Sequence, residues 1–238
     1  MKKIKTVKTV NFMKNRNLKN IILLQTVLLL LNSCASYYPQ VVDIPLIKKK
    51  EDKRINAGCF ITPELKNFGV SGTYSQGVTN LLAVQAYTSV DCMLRFHLQG
   101  ALGLYKGFEN NTVIELYTGY GFGTAGWLLY KITADNYQLG FAQFNIGKSG
   151  IGALNFDYGL GLKGGVIYND YSKYNEHHSD YKILNKYGWM AEPSAFIRFG
   201  GKNIKFNMIV NYMWMENSPK ELYFPMCISM GVNFKLGK

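Results

Sequence analysis

Residues 222–236 read LYFPMCISMGVNFKL. Every even position from Leu222 to Leu236 is apolar, and the odd positions between them carry Tyr, Pro, Cys, Ser, Gly, Asn and Lys. Successive side chains of a β-strand point to opposite faces, so this alternation predicts a strand with one wholly apolar face. Residues 203–215 repeat the pattern, with Ile, Phe, Met, Val, Tyr and Trp at even positions.

The same period of two extends upstream to residue 54 and predicts an all-β fold. Ten strands are expected, at 54–62, 67–77, 80–90, 93–107, 112–125, 136–147, 151–169, 187–200, 203–215 and 221–236. In the sixth, the apolar positions change parity near Gly140-Phe141, which predicts a bulge or bend there.

The composition of the second face indicates which face is inside. It consists mainly of Gly, Ser, Asn, Thr and Gln with scattered charges, whereas a soluble barrel needs a well-charged surface. Several segments also reach the 9–11 residues or so that a membrane strand requires. The sequence therefore predicts an antiparallel up-and-down transmembrane β-barrel of about ten strands, with its apolar face toward lipid.

The connections alternate in length, as in outer-membrane barrels with short periplasmic turns and long external loops. The connection between the third and fourth strands is the exception, since it is predicted to be external but is very short. Short connections are expected at 77–79, 108–111, 148–150 and 201–202, and long ones at 124–135 and 170–186.

Charge and hydropathy exclude several classes of protein. Of the 238 residues, 18% are charged, and the mean hydropathy of -0.07 excludes a polytopic helical membrane protein. The net charge is +12, but seven basic residues and no acidic ones lie in 1–33, which leaves 20 basic and 15 acidic residues in the rest. No basic helix or stripe remains, so nucleic acid is not an expected partner.

The first 33 residues have the pattern of a bacterial signal peptide. The apolar run 21–31 is too short to span a bilayer and follows a basic segment. It ends in Leu31-Asn32-Ser33-Cys34, which resembles a lipobox and implies acylation of Cys34 as the mature N-terminus; an ordinary signal peptide with a coincidental Cys is the alternative. Translation from either Met1 or Met13 fits. The expected organisation is a lipoprotein signal peptide at 1–33, a periplasmic linker at 34–53 and an outer-membrane barrel at 54–238.

Several stretches resemble the small outer-membrane β-barrel proteins, a family that includes many lipoproteins and has no assigned activity. They are Tyr37-Tyr38-Pro39 with Ile44-Pro45-Leu46, residues 115–121 (ELYTGYG) and Gly200-Gly201-Lys202-Asn203. The resemblance covers most of 34–238 and implies a fold and a bacterial outer-membrane location, without catalytic residues. The terminal Phe234 also resembles the aromatic signal read by barrel-assembly machinery.

The predicted lumen face carries charges of both signs. The members of this expected network are Arg95, Glu115, Asp157, Lys163, Glu192 and Arg198, with Lys205 nearby. A barrel of ten strands is little wider than one that side chains fill, so we expect ion pairs that close the lumen. A narrow solute channel with a charged constriction is the alternative.

Enzymatic activity is not expected, because no recognisable catalytic motif, metal site or cofactor motif occurs. A lipid or peptide hydrolase at the rim is the alternative, with His97 as its base, although a lone inward His is usually a hydrogen-bonded filler. His177-His178 lie in a loop, 170–186, rich in Tyr and Asn, which suits an extracellular ligand. The function expected is thus a structural or surface-interaction role, with membrane lipids and barrel-assembly machinery as partners.

Overall fold

A computed structural model of the chain describes residues 40–62, 67–92, 94–124, 136–152, 154–170, 187–215 and 226–236. The strands are β1 Lys53–Thr62, β2 Asn67–Gly77, β3 Leu82–Asp91, β4 Phe96–Gly107, β5 Thr112–Thr124, β6 Asn136–Ile151, β7 Phe156–Asp170, β8 Tyr187–Gly200, β9 Ile204–Tyr212, β10 Trp214–Met215 and β11 Met226–Leu236. Among these described ranges, no helix is long and apolar enough to cross a bilayer. The signal segment, Cys34 and His177-His178 lie outside them.

The strands form one closed antiparallel barrel. Each strand from β1 to β8 pairs with the next, β8 pairs with β9, β9 with β11, and β11 with β1. The two-residue β10 follows β9 after Met213 and pairs with β8. The eleven elements therefore fill ten positions around the ring, which confirms the predicted ten-stranded antiparallel barrel. Closure pairs β1 with β11, so the described ring has no open edge strand apart from the two-residue β10.

The apolar face of the sheet points outward and the small polar face inward, as predicted. On β4, Leu98, Leu102 and Leu104 are 43–66% exposed, whereas His97 and Gln99 are buried. Inward glycines let large lumen side chains lie flat against a neighbouring strand. Gly103 of β4 is the register partner of Tyr117 of β5, and a Cβ at Gly103 would lie 2.5 Å from Tyr117 Cε1.

The two ends of the barrel differ. Connections 78–81, 108–111, 152–155 and 201–203 lie at one end, here called the turn end, together with the start of β1 and the end of β11. The opposite end, the loop end, carries the longer connections. Exposed aromatic side chains lie near both ends: Tyr120, Phe122, Trp189, Tyr212 and Trp214 near the loop end, and Phe199 and Phe206 near the turn end.

The bulge predicted at Gly140-Phe141 is wrong. Pairing continues without a shift through both residues on both sides of β6, and the irregularity lies between Lys148 and Ile151. The apparent change of parity arises because Phe141 is an apolar residue on the lumen face, where it is buried. Glycines on the adjacent strands make room for its ring: a Cβ at Gly119 would lie 2.6 Å from Phe141 Cζ.

Residues 40–47, here called the strap, run inside the barrel before the chain enters β1. All eight are buried, and the aliphatic side chains of Ile44, Leu46 and Ile47 are each 0% exposed. The sequence predicts a periplasmic linker over 34–53. For the strap this expectation needs correction, because lumen side chains from six strands enclose it and satisfy its backbone.

Candidate functional site

The six charged residues expected in the lumen are all buried. Their exposed fractions are 1% for Arg95 and Lys163 and 0% for Glu115, Asp157, Glu192 and Arg198. Lys205 is 7% exposed. The six in strands lie on the inward parity of β5, β7, β8 and β9, and Arg95 lies directly before β4 on the parity of the inward His97. Burial of so many charges is costly unless each has a partner. Some of these partners belong to the strands and others belong to the strap.

Arg198 of β8 binds the strap. Its Nη2 lies 3.0 Å from Asp43 Oδ1 and 2.7 Å from the carbonyl oxygen of Ile44. Its Nε donates to Asn207 Oδ1 at 3.2 Å, and its guanidinium lies 4.4 Å from the centre of the Phe196 ring. The sequence predicts that Arg198 reaches across the lumen to a strand carboxylate. It pairs with a carboxylate of the strap instead.

Asp157 and Glu192 have strand cations as partners. Lys205 Nζ donates to Asp157 Oδ1 at 2.5 Å, and Arg54 Nη1 lies 3.6 Å from Asp157 Oδ2. On the other side, Lys163 Nζ lies 3.4 Å from Glu192 Oε2. The Lys163–Glu192 pair joins residues that are register partners on β7 and β8, so this contact follows directly from the strand pairing.

Arg95 pairs locally. Its Nε donates to Asp91 Oδ2 at 2.6 Å and its backbone N–H to Asp91 Oδ1 at 3.0 Å, across the short connection between β3 and β4. Asn67 Nδ2 also donates to Asp91, at 2.9 Å. Asp91 was not among the predicted site residues. Asp91 lies at an odd position, like the inward Tyr87 and Ser89 of the same strand. This shared parity could have identified Asp91 from the sequence.

Glu115 is stabilised by neutral donors. Its Oε1 accepts the backbone N–H of Ile47 at 2.7 Å, and its Oε2 accepts from Asn145 Nδ2 at 3.0 Å. Tyr117 Oη lies 3.5 Å from Oε1. Glu115 therefore fixes the turn-end part of the strap, whereas Arg198 fixes its middle.

The lumen side chains give hydrogen-bond partners to six backbone groups of the strap. Three backbone N–H groups have acceptors: Gln40 on Glu192 Oε1 at 3.4 Å, Val41 on Tyr87 Oη at 3.2 Å, and Ile47 on Glu115. Three carbonyls have donors: Gln40 from Asn211 Nδ2 at 2.9 Å, Asp43 from Gln143 Nε2 at 2.9 Å and Gln85 Nε2 at 3.3 Å, and Ile44 from Arg198. A buried backbone needs such partners.

Two strap side chains also accept hydrogen bonds from lumen side chains. The Gln40 Oε1 accepts from Ser89 Oγ at 2.6 Å and from Tyr87 Oη at 3.2 Å. The Asp43 Oδ1 accepts from Asn56 Nδ2 at 3.0 Å as well as from Arg198. The strap therefore presents its polar side chains to the β1, β3 and β8 side chains that the alternation places inward.

The apolar side chains of the strap complete two small clusters in the lumen. Val41, Ile44 and Leu46 belong to the first, with Phe60, Tyr87, Val113, Phe196, Ile209 and Cys227. Ile47 belongs to the second, with Tyr105, Tyr117, Tyr137, Leu139 and Phe141 among its members. These inward aromatic and aliphatic residues sit at positions where a water-filled channel would have polar side chains.

The strap leaves the lumen at the turn end through a turn at Lys48–Asp52. Lys49, Lys50 and Glu51 are exposed, and the N–H of Glu51 donates to the carbonyl of Gly77 at 2.8 Å. Lys48 Nζ donates to Asn111 Oδ1 at 2.9 Å and to the carbonyl of Ser149 at 3.1 Å. Partial burial, with Arg54 and Lys235 nearby, holds the pKa of Lys48 below its usual value.

His97, the candidate base of the hydrolase alternative, is engaged by neutral side chains. Its Nδ1 lies 2.7 Å from Tyr137 Oη and its Nε2 lies 3.1 Å from Gln99 Oε1. The imidazole also stacks on the Tyr137 ring, with centroids 5.6 Å apart. Both ring nitrogens therefore have hydrogen-bond partners. His97 is also 0% exposed, so the ring is closed off from a substrate at the rim. Among the described residues, no group of three or more His, Cys, Asp or Glu could hold a metal ion.

No protein-family model and no curated protein matches this chain. Solved structures similar to it include a de novo designed transmembrane β-barrel, which is 11% identical, covers 79% of this chain and 98% of its own, and has a TM-score of 0.35. Another is Ail, the attachment invasion locus protein of Yersinia pestis, which is 10% identical and covers 80% of this chain and 100% of its own, with a TM-score of 0.26.

Proposed function

We propose that this chain is a barrel of the bacterial outer membrane, with a lumen closed by its own strap and a structural or surface-interaction role. The outward apolar surface is the observation that carries the proposal. Leucines such as Leu102, Leu160 and Leu162 are 52–66% exposed on the barrel wall. A soluble protein rarely leaves an apolar patch of this extent uncovered. An apolar band between two aromatic rims is what lipid requires.

The charges at the turn end support membrane lipids as a partner. Lys49, Lys50, Lys106 and Lys202 are exposed there, and Lys48, Lys53, Lys148 and Lys235 are partly exposed. The acidic residues exposed at that end are Glu51 and Glu109. Lysines near a membrane surface gain about 1 kcal/mol each from anionic lipid. Short turns are periplasmic in outer-membrane barrels, so this collar would lie at the phospholipid headgroups.

Three further parts of the proposal concern the anchor, the assembly of the barrel and the external loop. Acylation of Cys34 would anchor the N-terminus in the membrane. Phe234 near the end of β11 would present an aromatic side chain to barrel-assembly machinery. The loop 170–186, rich in Tyr and Asn, would bind an extracellular ligand.

The contacts of the lumen favour this role over the two alternatives. A solute channel needs an open path, whereas the strap and its apolar clusters occupy the lumen's length. A rim-sited hydrolase needs a base that reaches substrate, whereas His97 is enclosed between Tyr137 and Gln99. Incubation of the protein and of a His97→Ala variant with peptide and lipid A substrates tests the second alternative. Turnover by the wild type that is lost in the variant would make His97 catalytic.

Membrane embedding is tested by fractionating cells and comparing gel migration of boiled and unboiled samples. We expect the protein in the outer-membrane fraction, with a fast-migrating form that boiling converts to the slower position of the unfolded mature chain, below the 27.0 kDa of the full sequence. A protein that stays soluble without detergent, and migrates identically before and after boiling, would overturn the proposal.

A further inference from the structure

We propose that the barrel lumen is a binding site for an extended peptide, and that the strap is the copy of that peptide which the chain supplies to itself. The ligand class is a short extended segment with an aspartate between aliphatic residues, as in Gln40–Ile47 (QVVDIPLI). This inference goes beyond the proposed role in the membrane, because it rests on lumen contacts alone and holds in detergent or in lipid.

The first argument is that much of the recognition is directed at the peptide backbone. Six backbone groups of the strap, three N–H and three C=O, are matched by side chains of β3, β5, β6, β8 and β9. Sites that bind extended peptides take affinity from backbone hydrogen bonds and specificity from pockets for side chains.

The second argument is that the site discriminates between side chains. The Asp43 carboxylate receives Arg198 and Asn56, each at 3.0 Å. The Gln40 side chain receives Ser89 and Tyr87. A buried Arg that loses its carboxylate partner is left uncompensated, so the site selects an acidic residue at the fourth position of the peptide. Val41, Ile44 and Leu46 fill the first apolar cluster between these polar contacts.

The third argument is that the covalent link is separate from the site. Lys49, Lys50 and Glu51 form an exposed turn at the barrel end. The contacts of the strap are made by residues 40–47, which precede this turn. Within one chain a short link gives the strap an effective concentration in the millimolar range. A separate peptide therefore cannot compete while the turn is intact. Cutting the turn converts the strap into an ordinary dissociable ligand.

The experiment cuts this turn in the folded, full-length protein. A recognition sequence for a site-specific protease is inserted between Lys49 and Lys50, and the protein is purified in detergent and cut. A peptide of residues 40–48 with an N-terminal fluorophore is added to cut and uncut samples, and fluorescence anisotropy and released strap are measured. We expect incorporation at one peptide per barrel in the cut sample, with none in the uncut sample.

Three comparisons define specificity. A peptide with Asp43→Asn should bind at least about 30-fold more weakly, because a buried charged pair loses one partner. A shuffled peptide of the same composition should not bind. The variant Asn80→Ser, in the exposed turn at 78–81, serves as a control that should bind like the wild type. Equal binding of the native, Asp43→Asn and shuffled peptides would overturn the proposal.

A refolding arm covers the case in which the cut strap does not exchange. The cut protein is unfolded in urea, separated from its strap and refolded with each peptide, and recovery of the fast-migrating gel form is scored. The native peptide should raise recovery several-fold over the shuffled one. Equal recovery with either peptide, or a folded strap-free barrel that fails to take up the native peptide, would show that the lumen is not a peptide site.

Discussion

Arg198 and Asp43 are separated by 155 positions in the chain, yet their side chains meet in the middle of the lumen with Nη2 and Oδ1 3.0 Å apart. Neither residue is more than 4% exposed. The pair connects β8 to a segment that belongs to no strand, and Asn56 and Asn207 extend it to β1 and β9. It is therefore the contact through which the strap and three strands depend on one another.

The first prediction concerns this pair. Asp43→Ala should lower the free energy of unfolding by about 3–5 kcal/mol, because Arg198 is left as an uncompensated buried charge. Urea titration of the gel-mobility transition measures the loss. Combining Asp43→Leu with Arg198→Met should cost clearly less than the sum of the single changes, because neither charge then remains. Strictly additive losses would mean that the two side chains are not coupled.

The second prediction concerns conductance. The wild-type protein should give no stable unitary conductance in planar bilayers, because the strap and its clusters occupy the lumen. Replacing residues 40–47 with Gly and Ser should produce open-channel events, provided that the gel shift shows a folded barrel. Lys202→Gln, in an exposed turn, should stay silent. Steady conductance from the wild type would favour the solute-channel alternative.

The third prediction compares two glycines on β4. Gly103→Ala should destabilise the barrel by about 1–3 kcal/mol, because the added Cβ meets the Tyr117 ring. Gly100→Ala is the matched control, since Gly100 faces outward with no atom within 4 Å of an added Cβ, and it should change stability by less than about 0.5 kcal/mol. Thermal conversion of the gel form measures both. Similar effects of the two changes would remove the special role of the Gly103–Tyr117 contact.

The fourth prediction concerns the anchor. Palmitate labelling should be seen in the wild type and lost in Cys34→Ala, whereas equal labelling of both would place the acyl group elsewhere.

Strand positions could be predicted from the sequence because each strand has two faces with different chemistry. For β4 and β11 the alternation alone separates Leu98 from His97 and Met230 from Ser229, and burial follows it. The parity of β6 was misread because Phe141 is apolar and yet faces inward. Where a lumen contains aliphatic clusters, hydrophobicity no longer distinguishes inside from outside.

The strap could not be predicted by the same reasoning. A segment enclosed on every side has no preferred face, so Val41, Val42 and Asp43 show no period and are typical of an irregular linker. The lumen charges were identified, but the strap partners of Arg198 and Glu115, Asp43 and the N–H of Ile47, were not. The Lys163–Glu192 contact was within reach of sequence reasoning, since strand pairing brings the two residues opposite each other.

The position of the strap also constrains the order of events when the barrel assembles. The first strand joins the last, so the seam between β1 and β11 is sealed only after the whole chain is present. A strap that already lies on the curling sheet gives Asn56, Arg198 and Asn211 their partners before this seam closes. We therefore expect the strap to speed closure of the ring, although a finished barrel can also take up the segment. Slow or failed sealing, with the strands themselves intact, is the defect that changes in the strap should cause first.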